Sequence, residues 1–117
     1  MARIKDYSTN RTLVEVDDNY ITNYSNNRKE YKIDGDYIRD YHTNSIIYKF
    51  DGNHIRDYHT NSIIYEVDTR YIKDYRTNRI LLEYDNTCIK DYHTNKRLYT
   101  IDGYISKRSL LAFVVTN

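Results

Sequence analysis

The sequence predicts an all-β domain made of tandem 17-residue β-hairpin repeats, paired in chain order as an antiparallel meander. Three observations carry this expectation. Ile recurs at 4, 21, 38, 55, 72 and 89, and Tyr at 7, 24, 41, 58, 75 and 92, both with a step of 17. Asn10, Asn27, Asn44, Asn61, Asn78 and Asn95 keep the same step, as do Asp17, Asp34, Asp51, Asp68, Asp85 and Asp102. The runs between these corner residues are β-branched and aromatic, and none is long enough for a helix. The phrase IRDYHTNSIIY at 38–48 recurs unchanged at 55–65, which fits recent duplication. Residues 1–117 therefore read as a single repeat domain, with six 17-residue repeats over 3–104 and a C-terminal capping repeat over 104–117.

One unit, Tyr37–Asn53, shows the logic of each element. The run YIRDY is a first strand. The corner His42-Thr43-Asn44 follows, a three-residue loop that ends in a left-handed residue, and Asn tolerates that conformation better than other non-glycine residues. This places Tyr41 opposite Ser45, Arg39 opposite Ile47, and Ile38 opposite Tyr48. The run SIIYKF is the second strand. Asp51-Gly52 then suits a two-residue type I′ turn and brings Tyr48 opposite Ile55. At Asp17-Asp18, Asp68-Thr69 and Asp85-Asn86 the second residue would carry a left-handed cost. Ile38, Tyr48, Phe50 and Ile55 share one face, apolar in nearly every unit. Tyr37, Arg39, Tyr41, Ile47 and Lys49 share the other, where charged stems lie over Tyr and Ile. A slip of one residue would exchange the two faces.

The alternative architecture is a β-solenoid with one repeat per coil. It would stack Lys5, Arg39, Arg56, Lys73 and Lys90 at a spacing of ~4.8 Å. Like charges that close repel by roughly 1 kcal/mol in water. The meander avoids this, because identical residues then lie two strands apart. About fourteen short strands make a wide sheet whose apolar face needs a cover. The sheet either rolls up on itself or packs against a second copy. The run LLAFVV at 110–115 reads as a closing strand, and Leu110, Leu111, Phe113 and Val114 as residues for capping or self-association.

Chemistry is sparse. His42, His59 and His93 hold equivalent corner positions, a hairpin width apart in a meander, so they do not converge on a metal. The repeated Asp at the short turns supplies one or two oxygens where calcium wants six to eight. Asp6, Asp40, Asp57, Asp74 and Asp91 precede each Tyr beside a basic residue and are expected to pair with it or with a nearby strand. Cys88 has no unique partner and reads as a small buried residue, and as the lone cysteine it forms no intrachain disulfide. There is no phosphate loop, metalloprotease signature or nucleophile elbow. The expectation is therefore a protein that is not an enzyme, with no catalytic residue, cofactor or metal.

A partner face remains: Tyr37, Arg39 and Tyr41, with Arg56 and Tyr58, Tyr71, Lys73 and Tyr75, and Lys90 and Tyr92. Tyr beside Arg or Lys can stack on sugars or bases. A net charge of +1, with Glu15, Glu66 and Glu83 on the same face, argues against nucleic acid. No run approaches ~18 apolar residues, so no membrane-spanning helix is expected. The start MARIKDYSTN lacks the apolar run of a secretory signal, so a cytoplasmic location is expected, with signal-free export left open. The leading functional expectation is a structural or protein-interaction repeat module that associates with itself or another protein. The alternative is a multivalent carbohydrate-binding module.

Overall fold

The structure, a computed structural model, describes residues 1–117 and contains twelve strands and one helix. In chain order they are β1 (Ala2–Asp6), β2 (Thr12–Val16), β3 (Tyr20–Asn23), β4 (Lys29–Asp34), β5 (Tyr37–Asp40), β6 (Ile46–Asp51), β7 (His54–Asp57), β8 (Ile63–Val67), β9 (Tyr71–Asp74), β10 (Ile80–Tyr84), β11 (Cys88–Asp91), β12 (Arg97–Gly103) and α1 (Lys107–Thr116). Each strand pairs antiparallel with its sequence neighbours, so the meander is the architecture and the solenoid is excluded. Strand β1 also pairs with β12, from Ala2↔Gly103 to Asp6↔Tyr99, and the sheet closes into a barrel. There are twelve strands where about fourteen were expected, because the last segment is helical.

Closure has a repeated local cause. In each odd–even hairpin the register slips by one residue, as between Ile38↔Tyr48 and Arg39↔Ile46, which leaves Ile47 as the extra residue of a bulge. Arg39 thus faces Ile46 and not Ile47. The same slip occurs in the other five such hairpins, and the even–odd hairpins have none. A bulge bends a strand and strengthens its twist, so six of them curl the sheet. The bulged residue has a second role. Its carbonyl accepts the backbone N–H of the next unit's Tyr, as in Tyr58 N to Ile47 O at 2.9 Å and Tyr75 N to Ile64 O at 3.0 Å. Tyr7 N to Leu98 O at 3.0 Å repeats this bond across the closing seam.

The long corners account for every letter of DYxTN. In the third unit the loop is Tyr41–Asn44, one residue longer than expected, and Asn44 is left-handed with φ 62°. All six corner Asn lie between 58° and 62°. Asn44 N–H donates to Asp40 O (2.8 Å), and Asp40 N–H to Ser45 O (2.9 Å). His42 and Thr43 N–H donate to Asp40 Oδ1 at 2.8 and 3.1 Å, and Ser45 N–H donates to Thr43 Oγ1 at 3.2 Å. With Tyr41 N–H bound to Glu30 O, no corner donor is left unpaired. Asp6, Asp40, Asp57, Asp74 and Asp91 therefore cap their own corners and do not pair with neighbouring cations. These bonds hold the Asp6 and Asp40 carboxyls below the usual carboxylate range. For Asp6 the Ser8 hydroxyl is the largest cause, and for Asp40 it is the Thr43 N–H.

The short corners differ from expectation by one residue. Asp51 pairs with His54 and Phe50 with Ile55, so the turn is Gly52-Asn53, and Tyr48 faces Asp57 and not Ile55. The slip spans two residues in register, so no side chain changes face. Gly52 and Gly35 stand first in their turns with φ 60°, the pattern of type II′. Asp18, Thr69 and Asn86 are not left-handed, so the expected cost is absent there. In two of those corners the repeated Asp accepts later backbone N–H groups: Asn19 and Tyr20 on Asp17 Oδ1, and Thr87 and Cys88 on Asp85 Oδ1.

The barrel interior is lined by Ile4, Ile21, Ile38, Ile55, Ile72 and Ile89, each at most 1% exposed, and by Val16, Ile33, Phe50, Val67, Tyr84 and Ile101. Eight strands make an interior that side chains alone can fill, but twelve need more. The filler is α1, ten residues and about 15 Å long. The segment 110–115, expected as a strand, is therefore helix, and Leu110, Leu111 and Phe113 are buried inside their own chain. They cover the apolar face from within and are not free to meet a second copy. Ser106 caps the helix by accepting Ser109 N–H at 3.1 Å, and Ser109 Oγ donates to Asp17 O at 3.1 Å. Arg108 stacks 4.2 Å from the Phe50 ring centroid and bonds Asp36 Oδ1 at 3.2 Å. Tyr99 meets Phe113 edge-on at 5.1 Å.

Candidate functional site

The expected partner residues lie on the outer wall. Alternation places Tyr37 and Arg39 outward because Ile38 points in, and the same holds for Tyr71 and Lys73 around Ile72. The corner Tyr residues are 43–49% exposed. They are not free-standing: five of the six lean on the residue that opens the preceding unit, and Tyr7 leans on Arg97 across the seam. Tyr20–Tyr41, Tyr37–Tyr58, His54–Tyr75 and Tyr71–Tyr92 are edge-on pairs with centroids 5.3–6.0 Å apart. Arg3 lies 5.4 Å over Tyr24, and Arg97 lies 5.9 Å over Tyr7 beside the seam. The result is a girdle in which one ring of every Tyr is supported and its hydroxyl edge is wet.

The cations on this wall divide into two groups. Arg39 Nε bonds Asp34 Oδ2 at 3.2 Å while its Nη1 bonds Asn44 O at 3.1 Å. Arg56 does the same with Asp51 and Asn61, both at 2.9 Å. These two arginines tie a short corner to a long corner and are occupied by that work. The Arg56 hydrogen bond is the main reason that the Asp51 carboxyl sits below its usual range. None of the six ion pairs involves Lys73 or Lys90, which stand across the sheet from Glu66 and Glu83.

The largest cleft, about 850 Å³, opens between the β7–β8 and β9–β10 hairpins. Ile63, Ile64, Tyr65 and Leu81 give it apolar lining, and Asp57, Asp74, Ser62, Thr60, Tyr75 and Arg76 give it polar groups. Asp57 and Asp74 each use Oδ1 on their own corner. The second carboxylate oxygen of each faces no protein donor, a chemistry suited to accepting hydrogen bonds from hydroxyls.

No group of three His, Cys, Asp or Glu is placed to hold a metal ion, and His42, His59 and His93 sit on separate corners. Cys88 is 8% exposed, with Sγ 4.0 Å from Asp85 Oδ2. The Tyr84 hydroxyl donates to Asp68 O at 2.7 Å, and burial raises its pKa, with Asp68 adding to the effect. No helix is long and apolar enough to cross a membrane.

Sequence reasoning missed the corner carboxylates, although one signal was available. The second unit writes Asn23 for the corner Asp and Asn26 for the corner Thr, and both side chains still accept backbone N–H groups. An ion-pairing role would not survive Asp-to-Asn replacement, whereas an acceptor role does. No protein-family model, curated protein or solved structure matches this chain.

Proposed function

We propose that this chain is a non-enzymatic structural module that acts by assembling with protein surfaces, a second copy of itself first among them. One observation carries the reading. Each corner Asp spends one oxygen on holding its own corner and the repeated inward residues are apolar, while the outer girdle repeats half-exposed Tyr six times. Tyr on a preorganised scaffold loses little entropy on docking and is enriched at interfaces. A reducing, cytoplasmic setting belongs to the proposal and rests on the single buried cysteine. Sedimentation velocity over a concentration series tests it. The expected outcome is a mass that rises above the 14.2 kDa of one chain. A single 14.2 kDa species at every concentration would remove self-association.

A second reading follows from the cleft between the fourth and fifth hairpins. Tyr75, the free oxygens of Asp57 and Asp74, and the Ile63–Ile64 floor suit a neutral saccharide, through ring stacking and hydroxyl donation. Titration with a panel of disaccharides, followed by Tyr fluorescence, should show saturable change that Tyr75→Ala abolishes. Flat titrations across the panel would discard this reading.

A further inference from the structure

The two rims of the barrel differ in charge although one 17-residue unit writes both. The short-corner rim carries the repeated Asp of each unit, and Asp18 and Asp36 add to it. Asp34 and Asp51 are paired with wall arginines and Asp36 with Arg108. The other five, Asp17, Asp18, Asp68, Asp85 and Asp102, are exposed and meet no cation within ion-pair distance. The long-corner rim is the opposite. Arg11, Arg28, Arg76, Arg79 and Lys96 are exposed there and none is in an ion pair. The carboxylates of that rim are partly buried, with one oxygen turned into the corner they cap. Lys107 and the N-terminal amine also stand at the short-corner end, and against the five unpaired carboxylates they leave that rim net anionic, while the outermost charges of the long-corner rim are cationic.

We infer that copies of this chain associate rim to rim, the short corners of one barrel against the long corners of the next. This rests on the self-assembly reading and names the surfaces that carry it. Like rims repel, so a two-fold dimer through either end is disfavoured, and the contact is head-to-tail. A head-to-tail contact with no closing rotation propagates as a linear stack. The long-corner rim has six corners and the short-corner rim five, with the β1–β12 seam in the sixth place, so successive barrels share the repeat spacing except at the seam. Met1 and Tyr104, 72% and 74% exposed, stand at the acidic end, where β1 and β12 meet the short corners. They add apolar contact toward the Tyr girdle of the next copy.

Charge reversal tests the inference on the full chain. At 20 mM salt the wild type should sediment as species larger than one chain. At about 0.5 M salt, where screening is nearly complete within a few ångströms, its dissociation constant should rise at least about tenfold. A variant with Arg76→Glu, Arg79→Glu and Lys96→Glu has two acidic rims and should be monomeric. A variant with Asp18→Lys, Thr69→Lys and Asp102→Lys has gained cations on the short rim and should be monomeric too. Mixed in equal amounts, the two should associate again, since each then presents the complement of the other. Thermal melts of each variant show that both are folded. Association that ignores salt and both variants overturns the rim contact and leaves self-assembly standing. Monomeric wild type at 20 mM overturns both. Failure of the mixture to associate, with both variants folded, overturns the head-to-tail geometry.

Discussion

In the wall, Ile55 sits where Ile38 and Ile72 sit one unit away, and Asp57 caps its corner as Asp40 caps the one before it. In the helix, Phe113 has no counterpart anywhere in the chain. It is fully buried, edge-on to Tyr99 and surrounded by inward residues that every unit contributes. The difference teaches where uniqueness resides in a repeat protein. A unit that cannot bury its apolar face alone is copied until the copies form a ring, and one unrepeated segment then fills what the ring encloses.

The largest effect should come from removing that segment. A chain ending at residue 105 leaves the inward Ile residues facing an unfilled interior. It should lose cooperative thermal unfolding by circular dichroism, and a sharp transition within a few degrees of the full chain would break the comparison. The milder Phe113→Ala should cost about 3–5 kcal/mol in chemical denaturation, a large part of the ~5–15 kcal/mol typical of a whole domain.

The seam should come next. Gly103 has φ 99°, and an added Cβ would lie 2.6 Å from Met1 O. Gly103→Val should therefore cost about 2 kcal/mol or more, from strain and from parting β1 and β12. Gly35, at φ 60° with nothing within 4 Å of an added Cβ, is the control. Gly35→Ala should cost only about 1 kcal/mol, the left-handed penalty by itself. Equal losses at the two sites would mean that the seam is not special.

A single corner should matter less. Asp57→Ala leaves His59 and Thr60 N–H without their acceptor, and a loss of about 1 kcal/mol is expected, as for a helix cap. Asp57→Asn should recover most of it, as Asn23 does natively in the second unit. If Asn were as damaging as Ala, charge and not acceptance would be the corner's requirement.

The smallest effect is a pH dependence shared among many corners. The Asp6, Asp40, Asp51 and Asp85 carboxyls are all held below the ordinary value of 3.8, mainly by hydrogen bonds. Groups with lowered folded pKa values stabilise the fold above the unfolded value and lose that contribution as pH falls through the folded value. The melting temperature should therefore be flat from neutral pH down to about 4 and decline below it. A decline that begins well above pH 4 would mean that these carboxyls do not set the acid limit of the fold.

Much of the wall was legible because the same solution is written six times. The face of every strand follows from alternation, and the left-handed Asn from turn chemistry. The bulges were not legible. Nothing in SIIYKF separates Ile46 from Ile47 as the extra residue, since both are Ile and the slip depends on how Tyr58 of the next unit is received. The helix was illegible for a related reason. Leu110, Leu111, Ala112, Phe113 and Val115 are buried together, so the apolar stripe that marks a surface helix is absent. An apolar run of six with Val-Val at its end reads as a strand until the enclosing ring is known. Alternation places the candidate wall residues on one face, yet Arg39 and Arg56 are committed to the fold. A sequence shows which charges share a face but not which already have a partner.

The pairing of Ala2 with Gly103 joins the opening of the chain to a stretch made about a hundred residues later. During synthesis the growing sheet therefore presents two unprotected margins and a bare concave surface until residues 97–116 emerge. Such margins are templates for pairing with other chains. A ribosome that stalls short of that point, or a protease that cuts there, releases an aggregation-prone fragment rather than a smaller working barrel.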